Sequence, residues 1–117
     1  MLLAWSDPQL ESCCTTAARL RVAARGQVEA AEDLLSLVAQ APRLGDLAQF
    51  RSVQMEIRAG KLALSIQEVD MHARPLSKAG VPRVIASGAS ALDYSTAEAL
   101  LVHDLHVRGR SVLRRAS

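Results

Sequence analysis

Through the first fifty residues apolar side chains recur every three or four positions; from residue 52 they alternate. Leu10, Cys13, Cys14, Ala17, Ala18 and Val22 fall on one stripe, the spacing of a helix with one face against a core. Ser6 or Asp7 serves as its N-cap, Pro8 lies in its first turn, and Gly26 breaks it. Val28, Ala31, Leu34, Leu35 and Val38 form a second stripe, with Glu29, Glu32 and Asp33 facing away and Pro42 ending the helix. The stretch "LLAW" before them reads as a short strand, and "LGDLAQF" after them as one helical turn or a packed loop.

Beyond residue 52, Val53, Met55 and Ile57 alternate with Gln54, Glu56 and Arg58; Leu62, Leu64 and Ile66 alternate again after "AGK". Two such runs around a tight turn predict a hairpin. "DMHARPL" adds a third strand that Pro75 ends or confines to an edge. "VPRVIASG" holds a short strand and "SGASALDYST" a loop. "EALLVHDLHV" suits helix or strand by composition, and a strand over residues 99–107 is the preferred reading. The expected fold class is α+β: a short N-terminal strand and two helices packed on a small, mainly antiparallel, twisted β-sheet.

At 117 residues the chain has room for one core. Trp5, Phe50 and Tyr94 are its only aromatics, so Leu, Val, Ile and Ala must fill that core. Residues 1–50 carry four arginines against six acids, and residues 51–117 ten Lys/Arg against six acids. The basic second half permits an anionic partner such as RNA without requiring one. Cys13 and Cys14 are adjacent and have no other partner, which suggests free thiols in a reducing cytoplasm. "MLLAWSDPQL" lacks a basic leader, so no signal peptide is expected, and no apolar run nears the roughly 20 residues of a membrane span.

Four local features, taken in order, resemble the RelE/ParE superfamily of bacterial toxins, most closely its HigB-like branch (plasmid maintenance killer proteins). "WSDPQLESCC" is similar to the family's strand leading into an Asp-containing helix start. "LLSLVAQAPRLGDL" resembles its second helix and connection, "ALSIQEVDMHARPL" its central strand pair, and "LLVHDLH" its terminal "E-I-V-D-Y-H". The likeness covers about residues 4–76 and 99–107. It implies a single RelE/ParE-like domain over residues 1–109, with a loop insert at about 77–97 and a flexible basic tail at 110–117.

Most of the family's members are small cytoplasmic endoribonucleases that cut mRNA, usually on the ribosome, and in this branch are neutralised by a helix-turn-helix antitoxin; ParE-type relatives instead poison DNA gyrase. The resemblance thus implies an antitoxin, mRNA and the ribosome as partners, a toxin–antitoxin hetero-oligomer, no membrane and no cofactor. His106 and Asp104 fall where the family has its terminal histidine and the preceding aspartate; Leu105 stands where many relatives have tyrosine. Arg74 lies near the family's strand arginine, and Lys61 and Arg58 lie at its basic turn segment. RNA cleavage without a metal needs proton transfer at a 2′-hydroxyl and a leaving oxygen, together with fixed positive charge on the phosphate. Histidine suits the proton transfers because an unperturbed imidazole has a pKa near 6.5; the resemblance gives that part to His106, with Asp104, two residues away on the same strand face, orienting the ring or strengthening its hold on a proton. Arg74, Lys61 and Arg58 suit the phosphate, and Arg108 and Arg110 a flanking RNA contact. His103 is expected on the opposite face, His72 in a structural or solvent-facing role, and Tyr94 in the insert as a stand-in hydroxyl. Each site residue also has an ordinary reading as surface charge or half-exposed polar decoration. Two alternatives on the same fold remain: a non-catalytic protein-binding module and a gyrase-directed ParE-type toxin. An unrelated α+β scaffold is the third.

Overall fold

The computed structural model describes residues 1–58, 61–77, 83–84 and 97–113. Strand β1 (Leu2–Trp5) leads into helices α1 (Pro8–Thr15), α2 (Ala17–Ala23) and α3 (Val28–Gln40), then a 3-10 turn (Leu44–Gln49). Strands β2 (Gln54–Arg58), β3 (Lys61–Ile66), β4 (Val69–Ser77), β5 (Arg83–Val84), β6 (Ala99–Val107) and β7 (Arg110–Ser111) follow. The body of the sheet runs β1-β6-β4-β3-β2, with β5 added to β4 and β7 to β6. Only the β1–β6 pairing is parallel among those described; the rest are antiparallel. This is an α+β fold on a mixed, mostly antiparallel open sheet. No helix among the described residues is long and apolar enough to cross a membrane.

The first expected helix is two. Asp7 caps α1, its Oδ1 accepting from the Gln9 N–H at 2.7 Å. Thr16 is extended (φ −109°, ψ 113°) and ends α1 while starting α2. Two successive β-branched threonines resist helical backbone, and Thr15 Oγ1 donates back to the Glu11 carbonyl at 2.6 Å. The break resets the phase, so Leu20 is buried while Ala17, Ala18 and Val22 face solvent. Helix α3 keeps its stripe: Ala30, Ala31, Leu34 and Val38 are buried and Glu29, Glu32 and Asp33 exposed.

One core cluster joins α1, α2, α3 and the 3-10 turn to Leu62, Leu64, Ile66, Val69, Met71, Ala73, Leu100, Val102, Leu105 and Val107 of the sheet. Burying each leucine or valine fully is worth about 1.5–3 kcal/mol. No polar or charged residue is buried among those described. Strand β4 lies mid-sheet and runs through Pro75 rather than stopping there. β3 pairs with β4 only up to Ala73 and β5 only from Leu76, so Pro75 borders no ladder on that side, where a missing N–H is tolerated.

The chain after Gly109 belongs to the fold as far as it is described. Arg110 and Ser111 pair with Val107 and His106, and Val112 is buried in the core cluster. The flexible tail expected from residue 110 therefore does not apply to residues 110–113; residues 114–117 lie outside the described part. Of the expected insert at 77–97, residues 78–82 and 85–96, Tyr94 among them, also lie outside it.

Candidate active site

The helices cover one face of the sheet. Alternation sends Lys61, Ala63 and Ser65 of β3, and Asp70, His72 and Arg74 of β4, to the other. On β6 the alternation changes phase. Leu100 and Val102 are buried, and so are Leu105 and Val107, two core pairs separated by three positions rather than two. The strand resolves this with a β-bulge: His72 pairs with Asp104 and Ala73 with Val102, which leaves His103 as the extra residue. Both His103 and Asp104 thus fall outside the core, and His106 follows in phase. The bulge corrects the expectation that His103 points away from His106.

The bulge sits where β6 changes neighbour. β1 pairs with β6 up to Val102, where the Ser6 N–H still reaches the Val102 carbonyl at 3.0 Å; β7 takes over at His106. In the gap, Asp104 Oδ1 accepts from the Leu105 N–H at 2.8 Å and from Ser111 Oγ at 2.6 Å. Its Oδ2 lies 3.0 Å from His106 Nε2. A carboxylate only accepts, so Nε2 of His106 carries a proton and Nδ1 is left to take or give one. The expected orienting role of Asp104 toward His106 thus has its geometry. The His72 ring packs beside that of His106, centroids 4.4 Å apart at 45°. Asp70, opposite His106 in register, hydrogen-bonds Ser65 Oγ.

Lys61, His72, Arg74 and His103, with Leu62 and Ala73, line a cleft of about 300 Å³. Burial, then the charges of Arg74 and Lys61, hold the His103 pKa below the usual histidine value of 6.5. Its Nε2 is buried without a hydrogen-bond partner. The two cations beside it suit the cleft to an anionic guest. A cavity of about 440 Å³ lies on the helical side; its lining among the described residues, Gln9, Cys13, Arg19, Val112 and Leu113, gathers no comparable acid–base set. Near it, burial followed by Cys13 and Asp104 pushes the Cys14 thiol up to about 12, which makes it a packing residue and a poor nucleophile. No group of three or more His, Cys, Asp or Glu side chains among the described residues could hold a metal ion.

Of the expected site residues, His106, Asp104, Arg74 and Lys61 share the open face. Arg58 joins Lys61 through its backbone at the mouth of the β2–β3 hairpin. Arg108 and Arg110 do not join them. Arg108 occupies the β6–β7 turn, its Nε 3.0 Å from Glu68 and its guanidinium over Gly26 at the α2–α3 connection. Arg110 pairs with core-facing Val107, so it lies on the opposite side from His106. His72, His103 and Ser111 are the members missed from sequence. For His103 the signal was present: the spacing Leu100, Val102, Leu105, Val107 cannot keep one face without an extra residue.

No protein-family model matches the chain, and neither a curated protein nor a solved structure matches it significantly.

Proposed function

We propose that the protein is a RelE/ParE-like toxin of the HigB-like kind: a metal-independent endoribonuclease that cleaves mRNA, acts at the ribosome in the cytoplasm, and is neutralised by a helix-turn-helix antitoxin. The observation that carries the reading is the common open face of the sheet, where the His106–Asp104 pair adjoins a cleft lined by Lys61, Arg74, His72 and His103. Such a set offers the residue types that RNA transesterification calls on. The 2′-oxygen attacks the adjacent phosphorus, its proton goes to a base, the bond from phosphorus to the 5′-oxygen breaks, and that oxygen receives a proton. The products are a 2′,3′-cyclic phosphate and a 5′-hydroxyl. His106 Nδ1 moves a proton; Lys61 and Arg74 face the negative charge that develops on the phosphate. His103 and His72 are further histidines within the same face.

Leu105 does not weaken the reading. Its side chain is fully buried against the helices, so the residue type there leaves the donors on the open face unchanged. The test is expression of the wild type and His106→Ala, followed by mapping of mRNA ends with and without ribosomes. Growth arrest and new 5′-hydroxyl ends are expected for the wild type and neither for the variant. Identical behaviour of the two would sink the reading. Partner-protein capture with no cleavage under any condition would replace it by the binding-module alternative.

A further inference from the structure

We infer that Ser111 is a positioning residue: acting through Asp104, it fixes which nitrogen of His106 carries the proton, so the segment after Gly109 completes the site. The catalytic consequence rests on the nuclease reading; the geometry does not.

Ser111 Oγ accepts from the Leu113 N–H at 3.1 Å and donates to Asp104 Oδ1 at 2.6 Å. A hydroxyl has one proton. With a backbone N–H occupying a lone pair, that proton is directed to the carboxylate and is committed there, so Ser111 is not placed as a nucleophile. Asp104 Oδ1 is then gripped by two donors, the Leu105 N–H and the Ser111 hydroxyl. Held so, the carboxylate cannot turn about its own axis, and Oδ2 faces His106 Nε2. Without Ser111 one grip remains, and the imidazole loses the fixed acceptor that selects its Nε2–H form.

The hairpin carrying Ser111 is itself anchored. Arg108 and Gly109 form its two-residue turn with φ of 53° and 78°, as a type I′ turn requires. The Arg108 N–H donates to the Glu68 carbonyl at 2.8 Å, and the Val112 N–H to the Leu105 carbonyl at 2.9 Å. Val112 enters the core directly after Ser111. Turn, backbone bond and buried side chain thus bracket the hydroxyl and hold it at the bulge.

The test uses the full chain with Ser111→Ala, Ser111→Thr and Ser111→Cys, the last close in size but a weak donor. Long-range proton–nitrogen spectra read the tautomer of neutral His106, and steady-state cleavage of an RNA oligonucleotide reads kcat and KM. The wild type and Ser111→Thr should hold the Nε2–H form. Ser111→Ala and Ser111→Cys should show a tautomer mixture, with kcat down on the order of tenfold and KM unchanged. Thermal melting checks folding, and Ser111→Cys decides if the alanine variant unfolds. If the wild type cleaves RNA and both variants that lack the hydroxyl match it in tautomer and kcat, the positioning role is overturned while the nuclease reading stands. If the wild type never cleaves, the nuclease reading falls, and the tautomer alone decides for or against Ser111.

Discussion

The two faces of the sheet come from alternate residues of the same strands, yet they do different work. On β4, Val69, Met71 and Ala73 meet the helices while Asp70, His72 and Arg74 face out; on β3, Leu62, Leu64 and Ile66 are opposed to Lys61, Ala63 and Ser65. The closed face is constrained by volume, because every apolar side chain there must fill space left by α1 and α3. The open face is constrained by charge and hydrogen bonding, and tolerates the polar groups a core would reject. Strand β6 shows what keeps the two apart. Its bulge restores Leu105 and Val107 to the core after Val102, and in doing so delivers His103 and Asp104 together to the outside.

The sharpest break of this comparison sets neighbours against each other. Leu105→Ala should cost about 2–5 kcal/mol of stability in urea unfolding. His106→Ala, one residue on, should cost under about 1 kcal/mol but reduce RNA cleavage by roughly 10²- to 10⁴-fold. A stability loss at His106 equal to that at Leu105 would mean that the open face also belongs to the core. Next in size is Leu105→Tyr, which introduces the residue found in many family members. Because position 105 faces the helices, overpacking should cost about 1–3 kcal/mol and cleavage should not rise; a gain in cleavage would show that position 105 can reach the open face.

A pair of arginines tests the face in a milder way. Arg74→Ala should lower kcat/KM by at least about tenfold, the worth of one charge-assisted contact of about 1.5–3 kcal/mol. Arg110→Ala, on the other side of the sheet, should stay within about twofold. Equal losses would return Arg110 to the RNA-binding set.

The smallest effect is one of pH. Burial and the cations of Arg74 and Lys61 depress the folded-state pKa of His103. As pH falls through about 6.5 the unfolded chain binds a proton that the folded chain still resists. The stability tied to neutral His103 is therefore present above the unfolded pKa and is lost as pH falls toward the folded one. His103→Gln should then show a smaller drop in Tm between pH 7.5 and 5.5 than the wild type. Equal drops would place the ring in free contact with water.

The period change near residue 52, the α3 stripe, the β2–β3 hairpin and the β6 strand were legible because each is a local pattern of apolar spacing. Asp104 beside His106 was legible for the same reason, since residues two apart share a strand face. The α1–α2 break was not, because Leu10, Cys14, Ala18 and Val22 keep helical spacing across Thr16 and only the extended backbone there turns α2. Arg108 and Arg110 misled for another reason: their charge is plain in the sequence, while the side of the sheet they occupy depends on a turn at positive φ.

The sequence by itself determined the α+β class, the alternation that separates an apolar face from a polar one, and the His106–Asp104 relation. All three follow from side-chain periodicity along one segment. Tertiary structure decided the rest of the site. His72 meets His106 only because β4 pairs with β6, and Lys61 reaches the cleft of His103 only because β3 lies beyond β4. Ser111 grips Asp104 only because β7 folds back over the gap that β1 leaves. Those contacts join residues far apart in the chain or across a turn, and strand pairing, which no single segment encodes, is what brings them within hydrogen-bond and ring-contact distance.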